Sequence, residues 1–194
     1  MDRREICRQV ARLHISCIGQ GFLPQLGERF LALMYEAIDE CDDSVLIVSM
    51  EGKRVVGFVS GAIGMKPVYT RMICKFPRLA WALAPSIFKP TRIRRILEII
   101  RYGSKENDSS LPHAELLSIA VDALFRGQQR ADGLYSRLCE YFASDGQDSF
   151  KIIVGKALQP AHRFYTRMGA TPAGETRVHA GDDASIIYVQ QLAR

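Results

Sequence analysis

Two arginines flank a polar turn between a predicted strand and a predicted helix, a setting that suits an anion. The strand is the apolar run 114–121 (AELLSIAV), and the helix after it has Leu134 and Leu138 on one face. The first backbone N–H groups of a helix have no partners within it, and the helix dipole favours negative charge there. Arg126 and Arg130 add two guanidinium groups that can bind phosphate oxygens. The pattern indicates a phosphate or diphosphate site, although a plain strand–helix turn with solvated arginines would look the same.

The sequence excludes several other kinds of chemistry. It has no Gly-Lys-Ser/Thr loop, no GxGxxG fingerprint and no GxSxG elbow, which argues against nucleotide hydrolysis, nicotinamide chemistry and a serine nucleophile. The five cysteines and four histidines are scattered, so we expect neither a metal site nor a disulfide framework. The N-terminus has no signal-peptide core, and no apolar run approaches the ~20 residues of a membrane span. We therefore expect a cytoplasmic protein without integral membrane association.

Positive charge is concentrated in one region of the chain. Residues 71–101 contain eight basic residues and one acid, Glu98, whereas the rest of the chain is nearly neutral. Such a local patch indicates contact with a phosphate-bearing ligand, an acidic substrate or a membrane surface, more than general nucleic-acid binding. A solvated helical face is the alternative. The basic residues are Arg71, Lys75, Arg78, Lys89, Arg92, Arg94, Arg95 and Arg101.

The elements around the turn follow from hydrophobic periodicity. The predicted helices cover 4–18, 26–38, 128–144 and 160–168, and the predicted strands cover 44–50, 54–64, 114–121, 150–154, 175–179 and 184–190. The first two strands form a hairpin. Residues 65–112, punctuated by Pro67, Pro77, Pro85 and Pro90, predict two or three short helices. We interpret residues 1–194 as a single α/β domain in which 65–112 is a basic helical insertion.

The order of these elements, together with two motifs, resembles the GNAT superfamily of acyl-CoA-dependent N-acyltransferases. Residues 114–134 (AELLSIAVDALFRGQQRADGL) resemble the family's acyl-CoA motif, Arg/Gln-x-x-Gly-x-Gly/Ala after a strand that ends in Val-Asp. Gln129 departs from it, because the family has glycine there. Residues 159–170 (QPAHRFYTRMGA) resemble the family's Asn-x-x-Ala-x-x-Phe-Tyr-x-x-x-Gly-Phe pattern, with one residue fewer before the alanine.

This resemblance implies a central mixed sheet, mostly antiparallel and flanked by helices, with the insertion before the family's fourth strand. It also implies that acetyl-CoA is the co-substrate, with its pantetheine arm along the end of the strand and its diphosphate on the turn. No metal is implied. The coenzyme-binding residues that the resemblance implies are Ile119, Ala120, Val121, Arg126, Gly127, Gln128, Gln129, Arg130, Ala131, Asp132, Gln159 and Phe164.

The implied reaction is direct attack of a primary amine on the thioester in a ternary complex. Tyr165 would protonate the departing thiolate, and Glu115 would accept the proton of the amine, often through water. A tyrosine with a reference pKa of about 10 is protonated at neutral pH and can serve as this acid. No cysteine nucleophile is required, since no covalent enzyme intermediate forms. Tyr165 as a core aromatic and Glu115 as a strand-edge surface residue are the alternatives.

Other functions remain open at this stage. The acceptor is a small amine, including one carried by a sugar or a peptide. Because a side chain at Gln129 could crowd the phosphates, a non-catalytic or weakly active acyl-CoA-binding regulatory module is a second hypothesis. A peripheral membrane or nucleic-acid interaction protein that uses the 71–101 patch is a third, although no nucleic acid is expected as a partner of the enzyme. The insertion could cover the acceptor, a sheet edge or a homodimer contact.

Overall fold

The described part of the chain forms one sheet with helices on both faces. This computed structural model describes residues 1–19, 23–87, 111–176 and 184–192. The helices are α1 (Arg3–Cys17), α2 (Glu28–Glu40), α3 (Lys66–Cys74), α4 (Phe76–Ile87), α5 (Arg130–Ser144) and α6 (Gln159–Arg167). The strands are β1 (Ser44–Glu51), β2 (Arg54–Ile63), β3 (Ala114–Val121), β4 (Ser149–Gly155), β5 (Thr171–Thr176) and β6 (Ser185–Gln191). Short 3₁₀ helices cover Leu23–Leu26 and Ala123–Phe125.

The six strands lie in the order β1-β2-β3-β4-β6-β5. Every neighbouring pair is antiparallel except β3 and β4, which run parallel. The sheet is therefore mixed and mostly antiparallel, which confirms the predicted fold class.

The two faces of the sheet carry separate apolar layers. Successive side chains of a strand point to opposite faces, so Phe58 packs among α1 and α2 while Val59 packs among α5 and α6. Helices α3 and α4 join the layer of α1 and α2 through Val68 and Ala82. We call these the α1–α4 face and the α5–α6 face.

A glycine in β2 allows α5 to approach the sheet closely. A Cβ atom at Gly61 would lie 2.7 Å from the Phe142 ring and 2.8 Å from Leu138. The register between β2 and β3 also shifts beside it. The glycine thus provides the close approach, and the register shift marks a β-bulge beside it.

Most predicted elements are confirmed, with a few shifted bounds. α2 begins at Glu28 because Leu23–Leu26 forms a separate 3₁₀ turn. The strand predicted over 175–179 begins earlier than predicted, since β5 spans Thr171–Thr176, and residues 177–179 lie outside the described residues. It is an exposed edge strand, so it lacks the buried alternation that marks other strands, and its Pro172 and Gly174 are typical of edges.

The predicted insertion is described only in its first half. α3 and α4 are two of the short helices that were expected there. The apolar and basic run 93–100 lies outside the described residues. Among the helices that are described, none is long and apolar enough to span a bilayer.

Candidate active site

The parallel strands β3 and β4 part after two residue pairs. Glu115 pairs with Lys151 and Leu116 pairs with Ile152, and no described strand pairs with β3 beyond them on that side. A bulge lies at the same place, since Gly61 pairs with Leu116 while Ser60 pairs with Ser118. Bulges bend a strand and redirect its backbone groups.

The predicted pantetheine residues lie on this open edge. Ile119, Ala120 and Val121 pair with β2 on one side only. A backbone edge without a partner strand can hydrogen bond an extended amide-bearing ligand. The structure therefore brings these three residues to the cleft between β3 and β4.

The turn after β3 is built by short-range contacts. The Asp122 carboxylate accepts a hydrogen bond from the Leu124 amide at 3.0 Å and forms an ion pair with Arg54. Gly127 has φ +75° and Gln129 has φ +55°, both in the left-handed region. These two reversals bring the chain into the first turn of α5, which begins at Arg130 and not at 128 as predicted.

The backbone amides of residues 127–131 donate no hydrogen bond to any described residue. They lie at the positive end of the 15-residue helix α5. Arg126 is exposed and donates through Nε to the Val121 carbonyl at 3.2 Å, and no described carboxylate pairs with it. Unpaired amides beside an uncompensated guanidinium form an anion-binding turn.

Two predicted coenzyme-binding side chains are engaged elsewhere. The Arg130 guanidinium lies 2.7 Å from Glu51 and 3.2 Å from Ser49. Asp132 accepts two hydrogen bonds from Arg167, at 2.7 and 2.8 Å, and these hold the pKa of its carboxyl below the usual value. Both pairs anchor the start of α5, and direct phosphate contacts from these side chains stay predictions.

Gln129 occupies a backbone conformation that favours glycine. A left-handed residue with a Cβ atom costs about 1–2 kcal/mol. Its side chain makes no capping hydrogen bond to α5. The backbone at Gln129 thus has a conformation typical of glycine, the residue that the family motif has at this position.

Tyr165 lies on α6 and is 5% exposed. The rings of Phe164, Tyr135 and Tyr188 surround it, with centroids 5.3, 6.1 and 6.3 Å away. No described residue hydrogen bonds its hydroxyl. Burial raises the pKa of Tyr165 above its ordinary value, so the hydroxyl stays protonated across the physiological range. The group can donate a proton but is not a base.

The remaining predicted residues lie at two places. Gln159 is exposed at the start of α6 and donates to the Lys156 carbonyl at 3.3 Å. Glu115 lies on β3, one residue before the strands part. The carboxylate of Glu115 is 3.7 Å from Lys151 Nζ, and the side chain of Lys151 is only 8% exposed.

Sequence reasoning missed a buried polar cluster on the α1–α4 face. His14 Nδ1 and Tyr35 Oη share a hydrogen bond of 2.6 Å. Burial lowers the pKa of His14 to about 4, so the ring is neutral at physiological pH. Burial raises the pKa of the Tyr35 hydroxyl. The hydroxyls of Ser118 and Ser60 lie beside it and partly offset this rise. The signal was the spacing of His14 four residues after Val10, on the apolar side of α1.

No group of three or more His, Cys, Asp or Glu within the described ranges could hold a metal ion. The cysteines in those ranges are all free thiols, of which Cys7 is buried and Cys17 is half-buried.

The family model of the acetyltransferase (GNAT) family matches residues 16–170. The chain belongs to this family, as its two motifs indicated. Its general activity is therefore acyl-CoA-dependent acetyl transfer. No curated protein sequence matches the chain.

Solved structures share the fold at low sequence identity. A Desulfovibrio desulfuricans protein, described as an acetyltransferase of the GNAT family, is 14% identical with a TM-score of 0.61, covering 97% of this chain and 94% of that chain. The ribosomal-protein-S18-alanine N-acetyltransferase of Escherichia coli is 13% identical with a TM-score of 0.56, covering 96% and 88%. An aminoglycoside 6'-N-acetyltransferase complexed with coenzyme A is 11% identical with a TM-score of 0.60, covering 98% and 92%.

Proposed function

We propose that this protein transfers the acetyl group of acetyl-CoA to a primary amine by direct attack in a ternary complex, and that residues 1–194 act as one domain. The observation that carries the proposal is the turn after β3. Its amides at 127–131 are unpaired and lie beside Arg126, next to the open edge of Ile119–Val121. Coenzyme A has a diphosphate followed by an extended arm with amide groups, and the turn and the neighbouring strand edge lie in the same order.

In this proposal the chain binds the coenzyme mainly through its backbone. The amides of 127–131 hold the diphosphate, and Arg126 adds a charged hydrogen bond. The β4-facing edge of Ile119–Val121 pairs with the pantetheine amides. Gln159 and Phe164 on α6 flank the arm on the opposite side of the cleft. Such backbone contacts fix the thioester where β3 and β4 part.

Two side chains handle protons. Glu115 attracts the ammonium form of the acceptor and takes its proton through water, which leaves a neutral amine to attack the carbonyl. The Lys151 ammonium lies 3.7 Å from this carboxylate. Tyr165 donates its proton to the sulfur as the C–S bond breaks. The products are the N-acetylated amine and coenzyme A with a free thiol.

The experiment is a thiol-release assay with acetyl-CoA and a panel of amines that includes aminoglycosides, amino sugars and peptide N-termini. We expect amine-dependent release of coenzyme A for at least one class. The neighbours that acetylate an aminoglycoside or ribosomal protein S18 make those two classes the first to try. Coenzyme binding without release across the panel would overturn the catalytic proposal and favour the regulatory module.

A further inference from the structure

The outward side of α4 is apolar and exposed. The inner side packs into the core through Ala82 and its neighbours, whereas Phe76 and Trp81 are 68% and 65% exposed. Ile73, at the end of α3, is 52% exposed beside them. A helix that is apolar on all sides normally has both sides covered. The outward residues are Phe76, Pro77, Ala80 and Trp81.

The segment that carries this surface lacks negative charge. Residues 66–87, which form α3 and α4, contain four basic residues and no Asp or Glu. Two of these cations are paired with α2: Arg78 donates to Glu36 at 2.7 and 2.8 Å, and Lys75 Nζ lies 2.7 Å from Glu40.

Arg29 on α2 lies beside the apolar surface. Its guanidinium lies 5.2 Å from the centroid of the Trp81 ring, and no described carboxylate pairs with it. A cation over an indole ring gains attraction without losing its outward hydrogen-bond donors. Arg29 is therefore available to an external anion at the border of the apolar surface.

A groove of about 660 Å³ runs between α1, α2 and α4 beside Trp81. Arginines outnumber carboxylates on its walls, so the groove has an excess of positive charge. Its charged residues are Arg8, Arg12, Arg29, Arg78, Glu28 and Glu36.

We propose that the outward side of α4 and this groove form a docking surface for an anionic phospholipid bilayer. The apolar side chains of α4 enter the interface while the helix lies in its plane, and the arginines bind lipid phosphates. Tryptophan is enriched at the headgroup level of membranes, where its ring is both apolar and a hydrogen-bond donor. The surface is distinct from the coenzyme turn.

The charge and apolarity together favour a bilayer over an acidic polypeptide. Among the described side chains on the outward side of α4, the one polar group is that of Arg78, which Glu36 already binds. A polypeptide would bring backbone groups that this surface cannot pair, whereas acyl chains need no partner. The flanking arginines then supply the selectivity for negative lipids.

The test uses a property of the chain: Trp81 is its only tryptophan. The full-length protein is titrated with vesicles of phosphatidylcholine alone or mixed with phosphatidylglycerol. We expect a blue shift of the Trp81 emission with the anionic vesicles, little change with the neutral ones, and reversal by salt. No shift with anionic vesicles at low salt would overturn the proposal, as would equal binding to both lipids.

Matched variants separate the two contributions, with vesicle co-sedimentation as the readout. Phe76→Ser is expected to weaken binding about tenfold, from lost apolar burial. Leu124→Ser removes a residue that is 75% exposed elsewhere and is expected to have no effect. Arg29→Glu is expected to weaken binding about tenfold or more, whereas Lys53→Glu makes the same charge change in the β1–β2 turn and leaves binding intact. Equal losses for a variant and its control would contradict the proposed surface.

Two further outcomes exclude the other occupants. Trp81 emission that is already blue-shifted in the vesicle-free protein would mean that this chain or a second copy covers the surface. A shift of the same size with polyglutamate or DNA would mean that the surface recognises acidic polymers. Either result would overturn the bilayer proposal.

Discussion

Two buried tyrosines, one on each face of the sheet, differ in their hydrogen-bond partners. Tyr35 on the α1–α4 face is fully buried and shares a 2.6 Å hydrogen bond with His14. Tyr165 on the α5–α6 face is 5% exposed, and no described residue hydrogen bonds its hydroxyl. Burial raises the pKa of both hydroxyls.

This difference separates a structural role from a chemical one. A buried hydroxyl with a partner contributes to stability. The Tyr165 hydroxyl has no described partner and is not among the fully buried polar atoms, so it is accessible to a group that arrives with the substrate. The comparison predicts opposite effects when each hydroxyl is removed.

The largest effect is expected for Tyr165→Phe. If Tyr165 is the acid, kcat falls about 100-fold or more while the KM for acetyl-CoA stays similar. The melting temperature is expected to change little, because the Tyr165 hydroxyl has no described hydrogen-bond partner to lose. Steady-state kinetics and thermal unfolding measure the two effects. A variant with full kcat would return Tyr165 to the role of a core aromatic.

Acid should weaken the α1–α4 face through His14. Its pKa is about 4 when folded and about 6.5 when unfolded, so stability is fully present above pH 6.5 and is lost as pH falls through 4. The loss reaches about 3 kcal/mol. Urea unfolding near neutrality and at acidic pH, compared with His14→Gln, isolates this contribution. An equal acid loss in the variant would show that other groups cause it.

A smaller loss of stability is expected for Tyr35→Phe. His14 Nδ1 then loses its partner inside the core, which costs about 1–3 kcal/mol in the free energy of unfolding. Chemical denaturation measures the loss, and kcat at a temperature where both proteins are folded is expected to be retained. Loss of kcat with unchanged stability would reverse the assignment of the two tyrosines.

The smallest effect is expected in the turn itself. Gln129→Gly relieves left-handed strain of about 1 kcal/mol, partly offset by the greater chain entropy of glycine. Acetyl-CoA binding should tighten a few-fold, which calorimetry can resolve. Weaker binding in the variant would mean that the Gln129 side chain contacts the coenzyme and is not a tolerated departure.

The strand, turn and helix around residues 122–130 were predictable because their determinants are local. The apolar run of β3, Gly127 and the apolar face of α5 are close in sequence, and a family motif covers them. The left-handed backbone of Gln129 was not predictable from residue type, because only the turn as a whole imposes it. Edge strand β5 was misplaced for a related reason: exposure removes the hydrophobic alternation that marks a strand.

The contacts that distinguish Tyr35 from Tyr165 were not predictable, since such contacts join segments that are distant in the sequence. His14 and Tyr35 are 21 residues apart in the sequence. Arg130 and its partner Glu51 are separated by 79 residues. Hydrophobic periodicity identified α1 and α2, but it does not say which polar side chains meet when the helices pack. The roles of Tyr165 and Glu115 stay predictions.

The most direct test of the claim that the turn after β3 binds the diphosphate compares substitutions at Gly127 and Gly146. Both have positive φ, +75° and +78°, and an added Cβ would meet nothing within 4 Å at either one. Valine therefore strains both similarly, but only Gly127 lies in the coenzyme turn. Coenzyme A and pantetheine, which lacks the diphosphate, are titrated calorimetrically into the native protein, Gly127→Val and Gly146→Val.

If the turn holds the diphosphate, the native protein and Gly146→Val bind coenzyme A about 100-fold more tightly than pantetheine, through several charged hydrogen bonds. Gly127→Val loses that preference. Equal affinity of the native protein for coenzyme A and pantetheine, or an unchanged preference in Gly127→Val, would contradict the account.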